Sequence, residues 1–291
     1  MISPLVRRRR LGAELLRLRE RHGYSSDGLA RAVGVSRQRI SRLENGHVGP
    51  DLDEVMRILD VLAVSEDDWT RIMDIARQAQ ERGWWEKFAD EMGPRQALYA
   101  NLEAGATMIR EYQMTFLPGL LQTPLFTEAR VRADQAAYPD GFHPDKAVQA
   151  RAARQRMLHR PGGPTYEVII DELAVRRHAA PPDVVAAQLD HLAAVGHDHE
   201  KITIRVLPVA ARITGHAVPR SAFSAYTYPD DPPVVAVDTA TSDLLLTEPA
   251  YVARYAALYQ RLAQAAMNPL DSLDFLATVA EELSHQTGRT P

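Results

Sequence analysis

Apolar residues recur at helical spacing through the first 80 residues, in short segments punctuated by glycine and by capping side chains. Leu11, Leu15 and Leu18 share one face of a predicted helix that stops at His22-Gly23. Ser25 or Ser26 can cap a second, with Leu29, Ala30 and Val33 inward and Gly34 at its end. Ser36 can cap a third, with Ile40 and Leu43 inward and Asn45-Gly46 closing it. Pro50-Asp51 opens a fourth, whose stripe is Leu52, Val55, Met56, Leu59 and Leu62. Trp69, Ile72, Ile75 and Ala76 predict a fifth, from Glu66 to about Arg82.

Beyond Gly83-Trp84-Trp85 the texture changes. Residues 101–111 read as helix running into strand, and 124–136 and 145–159 as helices. Segments 165–171 and 201–208 alternate and are rich in β-branched residues, so they read as strands. A helix opens at Pro181-Pro182, a meander covers 222–228, 234–239 and 243–247, and two helices close the chain. The predicted fold class is α+β. An all-α five-helix domain fills 1–77, a connector 78–95, and a larger α+β domain with a small, mostly antiparallel sheet 96–285; residues 286–291 form a loose tail.

The second and third helices have helix-turn-helix spacing. Ala30 is small where the two helices cross, Gly34 permits a left-handed turn, and Val35 and Ile40 anchor the third helix on the second. That leaves Arg37, Gln38, Arg39, Ser41 and Arg42 outward, at the end that enters the major groove in this motif. Arginine grips guanine O6 and N7, and glutamine grips adenine N6 and N7. A solvated helix face would mix in acids, and the seven residues after Val35 contain none. Arg7, Arg8, Arg9 and Arg10 precede Leu11, as either a solvated tail or an arm that neutralises phosphates.

Charge distribution strengthens that reading. Net charge is −4 over 291 residues, yet residues 1–50 hold eleven arginines against four acids, a balance of +7 that leaves −11 for the rest. A basic head on an acidic body implies one DNA-facing domain and one that faces something else. There are no cysteines, which excludes disulfides, thiolate metal sites and thiol catalysis. No apolar run could span a bilayer and the N-terminus lacks a signal-peptide pattern, so a cytoplasmic location is expected, with no membrane partner.

No catalytic constellation is evident, and no enzyme activity, cofactor or metal is expected. Asp171-Glu172 follows a strand, where adjacent side chains point apart, so a helix cap is favoured over an acid–base pair. His197-x-His199 lacks companions to complete a metal site and reads as an exposed loop. Arg176-Arg177 could meet an acidic partner or pair with local acids. Trp84-Trp85 could seal a junction or stack on a ligand. FLPGLLQTPLF is apolar for a loop and reads as core or interface before ligand pocket.

Over residues 11–64 the chain resembles the Xre/Cro-type helix-turn-helix family, including the run Ser36-x-x-x-Ile40-Ser41-x-x-Glu44-x-Gly46. The resemblance implies that Arg37, Gln38 and Arg42 read bases. Ser36, Ser41, Asn45 and Arg39 would position the helix or meet the DNA backbone. Ser26 stands where the family usually has a phosphate-contacting glutamine. ERGWWEKF, FLPGLLQTPLF, RAARQRMLHRP, VIIDELAVRR and KITIRVLP together resemble the C-terminal domain of WhiJ-like actinobacterial regulators. That likeness implies a sensing or partner-binding role, with a small regulatory partner protein.

The expected function is a sequence-specific transcriptional regulator that binds double-stranded DNA as a homodimer, because one recognition helix covers too few base pairs. Two alternatives remain: a one-component regulator with a small-molecule effector, and a DNA-tethered enzyme.

Overall fold

In the computed structural model residues 2–133, 144–239 and 243–287 are described. Two compact units result. The first comprises Met1–Glu86 with Leu98–Gly105 and Asp230–Pro232; the second comprises Lys87–Ala97, Ala106–Pro229 and Pro233–Pro291.

The first unit contains five helices: α1 (Pro4–Arg21), α2 (Ser26–Val33), α3 (Arg37–Glu44), α4 (Leu52–Val61) and α5 (Glu66–Ala79). Each starts at a side-chain cap that accepts from an otherwise orphaned backbone N–H. The caps are Ser3, Ser25, Ser36, Asp51 and Ser65. Leu11, Leu15, Leu18, Leu29, Ile40, Leu43, Val55, Leu59 and Ile72 are in the buried core, as the apolar spacing predicted, while in α4 Ile58 is buried and the expected Leu52 and Met56 are only partly so. Gly34 adopts φ +78°, the left-handed turn between α2 and α3.

One boundary differs. Arg7–Arg10 do not precede the first helix; they lie inside it, because Ser3 caps it and Pro4 occupies its first turn. A further helix, α6 (Ala89–Glu103), breaks at Gly93 ahead of Pro94. Its later part belongs to the first unit, where Asn101 Oδ1 accepts from Leu5 N and Ser3 Oγ and so fixes the start of α1.

The second unit is built on a six-stranded sheet of β1 (Met108–Gln113), β2 (Thr165–Asp171), β3 (Ile202–Leu207), β4 (Phe223–Thr227), β5 (Val234–Val237) and β6 (Leu244–Leu246). Their order is β3-β2-β1-β4-β5-β6. β4, β5 and β6 form the expected meander, and β4 also pairs antiparallel with β1. The sheet is nevertheless mixed: β1–β2 and β2–β3 are parallel. Parallel neighbours need long crossovers, and helices fill them here. α7 (Pro124–Ala133) and α8 (Pro144–His159) join β1 to β2; α9 (Glu172–Arg176) and α10 (Pro182–Asp198) join β2 to β3. α11 (Pro249–Ala265) and α12 (Pro269–Thr287) follow β6. α10 packs on α12 at Gly196, where a Cβ would lie 2.5 Å from Leu273 Cδ2.

The PGLLQT motif is core. Leu117, Leu120 and Leu121 are buried, and Gln122 donates to Leu117 O. Gln188 of α10, fully buried, donates to Leu121 O and accepts from Thr123 N, while Gln155 of α8 donates to Gln122 O. An irregular buried segment needs such partners for its backbone groups. Asp171 caps α9 by accepting from Leu173 N. His197 lies in the last turn of α10, where a loop was expected, and no group of three metal-ligating side chains forms among the described residues. Among those residues no helix is long and apolar enough to cross a membrane. Gln286 and Thr287, expected in the loose tail, close α12, while the predicted helical residues 134–136 and tail residues 288–291 lie outside the described residues.

Candidate nucleic-acid interface

The recognition helix α3 is short, and its two sides differ sharply. Ile40 and Leu43 are buried in the core, whereas Arg37, Gln38, Ser41 and Arg42 are exposed. The Arg37 side chain is 72% exposed; its nearest charge is Asp27 Oδ1 at 3.8 Å, itself largely exposed. An exposed pair that long contributes little, so Arg37 is available to a ligand. Gln38 and Arg42 have no side-chain partner among the described residues. These three side chains are therefore exposed, with Gln38 and Arg42 unpartnered among the described residues and Arg37 held only by one long, exposed pair.

The remaining predicted residues of α3 have structural duties. Ser36 Oγ accepts from Arg39 N at 3.1 Å, capping the helix. Asn45 turns back to donate to Ser41 O at 2.7 Å. Arg39 donates to the Glu54 carboxylate from Nη2 to Oε2 at 2.7 Å and from Nε to Oε1 at 3.1 Å, a fork-to-fork pair between α3 and α4 in which Nε also lies 2.9 Å from Oε2. The Glu54 side chain is 4% exposed, and its acceptance of these bonds raises the Arg39 pKa. Ser25 rather than Ser26 is the cap of α2, which leaves Ser26 in the first helical turn.

The far end of α3 is held by a second clamp. Arg19 of α1 donates to Glu44 Oε1 at 2.6 Å and Oε2 at 3.2 Å, and to Tyr24 O at 2.8 Å. Neither side chain of this pair is more than 10% exposed. Below it α1 and α3 approach so closely that a Cβ on Gly12 would lie 2.3 Å from Glu44 O. The helix is thus fixed at both ends by groups that spacing within α3 does not indicate: Arg19, Gly12 and Glu54.

Arg7 to Arg10 do not form a free arm. Arg7 is 93% buried by the complement of its 7% exposure, with Nε 3.1 Å from Asp231 Oδ2. Arg10 Nη1 donates to Asp230 O at 2.6 Å and Asp231 Oδ1 at 3.1 Å. Arg8 Nε donates to Ala79 O at 2.9 Å. Arg9 is half-buried, and burial lowers its pKa. A run of like charges was legible; its engagement with an aspartate more than 200 residues away was not.

The weaker candidates separate. Trp85 is buried and Trp84 half-buried, their rings edge-on with centroids 6.0 Å apart. Arg176 pairs with Glu172 at 2.8 Å and Glu282 at 3.2 Å and lies over the Phe275 ring. Arg177 is exposed.

Comparison with known families gives two matches. A model described as a helix-turn-helix domain covers residues 10–72. A model described as a domain of unknown function, DUF5753, covers residues 96–278. No curated protein and no solved structure matches the chain.

Proposed function

The chain belongs to the DUF5753 family and carries an N-terminal helix-turn-helix DNA-binding domain, and from that premise we propose that it is a sequence-specific transcriptional regulator of the Xre type, acting in the cytoplasm. The observation that carries the reading is the exposed set Arg37, Gln38 and Arg42 on a helix clamped at both ends. Pre-organisation matters because a recognition helix that is already oriented pays no ordering cost when it enters the groove. Arg37, Gln38 and Arg42 read base edges, and each bidentate pair discriminates by about 1–3 kcal/mol.

One eight-residue helix meets only a few base pairs, so the active species is a homodimer on two half-sites about one helical turn, ~34 Å, apart. The second unit serves as the signal receiver, a binding domain without catalytic activity, and its partner is a small regulatory protein. Its acidity, in a chain whose residues beyond 50 carry −11, keeps that unit off DNA and leaves contact to the basic head.

The test is selection of preferred sequences from a random duplex library with the full chain, followed by anisotropy titrations over a range of salt. Enrichment of a two-fold symmetric sequence is expected, with log affinity falling by about 0.9 per phosphate neutralised for each unit of log salt. Failure to enrich any sequence, or affinity indifferent to salt, overturns the reading.

A further inference from the structure

Two of the exposed large apolar side chains of the second unit, Leu173 at 48% and Val209 at 65%, line the same groove. Single exposed aliphatics need no explanation, but two in one concavity beside cations do. The groove has a volume of about 440 Å³, and its other walls are Glu172, Arg176, Arg177 and His178. It is an open trough between α9 and the turn after β3.

Its frame is set before anything binds. Asp171 fixes the first turn of α9. Glu172 Oε2 accepts from Val209 N at 2.9 Å, tying the turn after β3 to that helix, and Glu172 Oε1 accepts from Arg176 Nε at 2.8 Å. Glu172, with Glu282 at 3.2 Å, neutralises Arg176. Arg177 and His178 are exposed, and neither side chain has a partner among the described residues. The groove therefore has an aliphatic floor and one uncompensated guanidinium on its rim.

We propose that this groove docks an acidic, aliphatic peptide segment of a partner protein, with a carboxylate on Arg177 and a neighbouring aliphatic side chain between Leu173 and Val209. Charge selects the occupant. The chain beyond residue 50 carries −11, so its surface repels acidic segments generally, and a trough rimmed by one unpaired guanidinium on that background is where one is accepted. A guanidinium matches a carboxylate bidentately, whereas a basic segment would meet the unpaired Arg177 with like charge and find Glu172 and Glu282 already engaged by Arg176. The open trough suits an extended peptide better than a small acid, which an enclosed pocket would bury on most sides. This inference rests on the second unit's role as a partner-binding domain and is independent of DNA recognition.

The test uses the full chain and a fluorescein-labelled peptide alternating glutamate and leucine, with a lysine–leucine peptide as control. Saturable binding of the acidic peptide alone is expected, weakened about tenfold or more by Arg177→Glu and, separately, by Leu173→Asp. Both positions are exposed, so the variants should fold; matching circular dichroism and unchanged operator affinity verify this. Val209→Asp supplies a second apolar-side variant. No saturation at millimolar chain, or binding indifferent to all three variants, overturns the proposal. Equal competition by glutarate would instead make it a small-acid site, and self-association abolished by the same variants would make it a contact between copies; each result refutes it. In every case DNA affinity is read in parallel, so loss of this site leaves the DNA reading standing.

Discussion

Arg39 was expected outward on α3, yet its guanidinium is committed to Glu54 of α4, so it should orient the helix without touching phosphate. Replacing it with methionine keeps the stem and removes the charge. Glu54 would then remain, 4% exposed, without the two close donors at 2.9 and 2.7 Å that satisfy it. Breaking a buried pair from one side costs about 3–5 kcal/mol. Arg39 is 31% exposed, however, so water reaches the pair and screening reduces the figure to about 2–3 kcal/mol. For a helical unit of this size that lowers the midpoint of thermal unfolding by about 8–24 °C.

The measurement is unusually clean. Trp69, Trp84 and Trp85 are the three tryptophans of the chain, and all belong to the first unit, so intrinsic fluorescence reports its unfolding. Removing both charges, Arg39→Met with Glu54→Met, should recover most of the loss, since replacing a buried pair by apolar residues is often neutral. That double variant should also keep the wild-type salt slope of DNA binding. If Arg39→Met leaves stability within about 0.5 kcal/mol of wild type while the slope falls by about 0.9, Arg39 is a phosphate contact and the positioning argument is wrong.

Other outcomes follow from the same geometry. Arg37→Ala or Gln38→Ala should relax sequence preference at one position of each half-site by about 1–3 kcal/mol with unchanged tryptophan-monitored stability; unchanged preference removes that residue from the reading set. Gly12→Ala should destabilise the first unit by about 1–3 kcal/mol, because its Cβ meets the Glu44 and Leu43 backbone, which no side-chain rotation relieves. Wild-type stability in that variant would mean that α1 and α3 separate freely. Glu111 of β1 is fully buried, and burial pushes its pKa up against the opposing donors Tyr166 OH and Gln113 Nε2. A raised carboxyl pKa stabilises the fold below the unfolded value of about 4.3 and loses that contribution as pH rises through the folded value. Glu111→Gln should therefore flatten the decline of second-unit stability above pH ~4.3, measured by urea denaturation followed by circular dichroism; a decline as steep as in wild type would assign it to other groups.

What the sequence determined by itself was the local code of the first unit. Caps, a turn glycine and apolar spacing act over three or four residues, so the faces of α2 and α3 were legible, and of the outward set Arg37, Gln38, Arg39, Ser41 and Arg42 all but Arg39, which turns to Glu54, are exposed. The cap role of Asp171 was readable for the same reason. Longer-range features were not. Arg7–Arg10 read as a solvated tail or an arm because Asn101 and Asp231, which meet that stretch of α1, lie far away in the chain. The strands of the second unit were visible as alternating runs, but alternation does not say which strand is the neighbour. The parallel register of β1, β2 and β3 is decided by where α7 to α10 pack. Tertiary structure alone also decided how the recognition helix is held, since Arg39 meets Glu54 and Gly12 meets Glu44 only when separate helices come together. Short-range periodicity encodes a helix and its faces, while the clamps that aim it arise between residues whose separation along the chain carries no pattern.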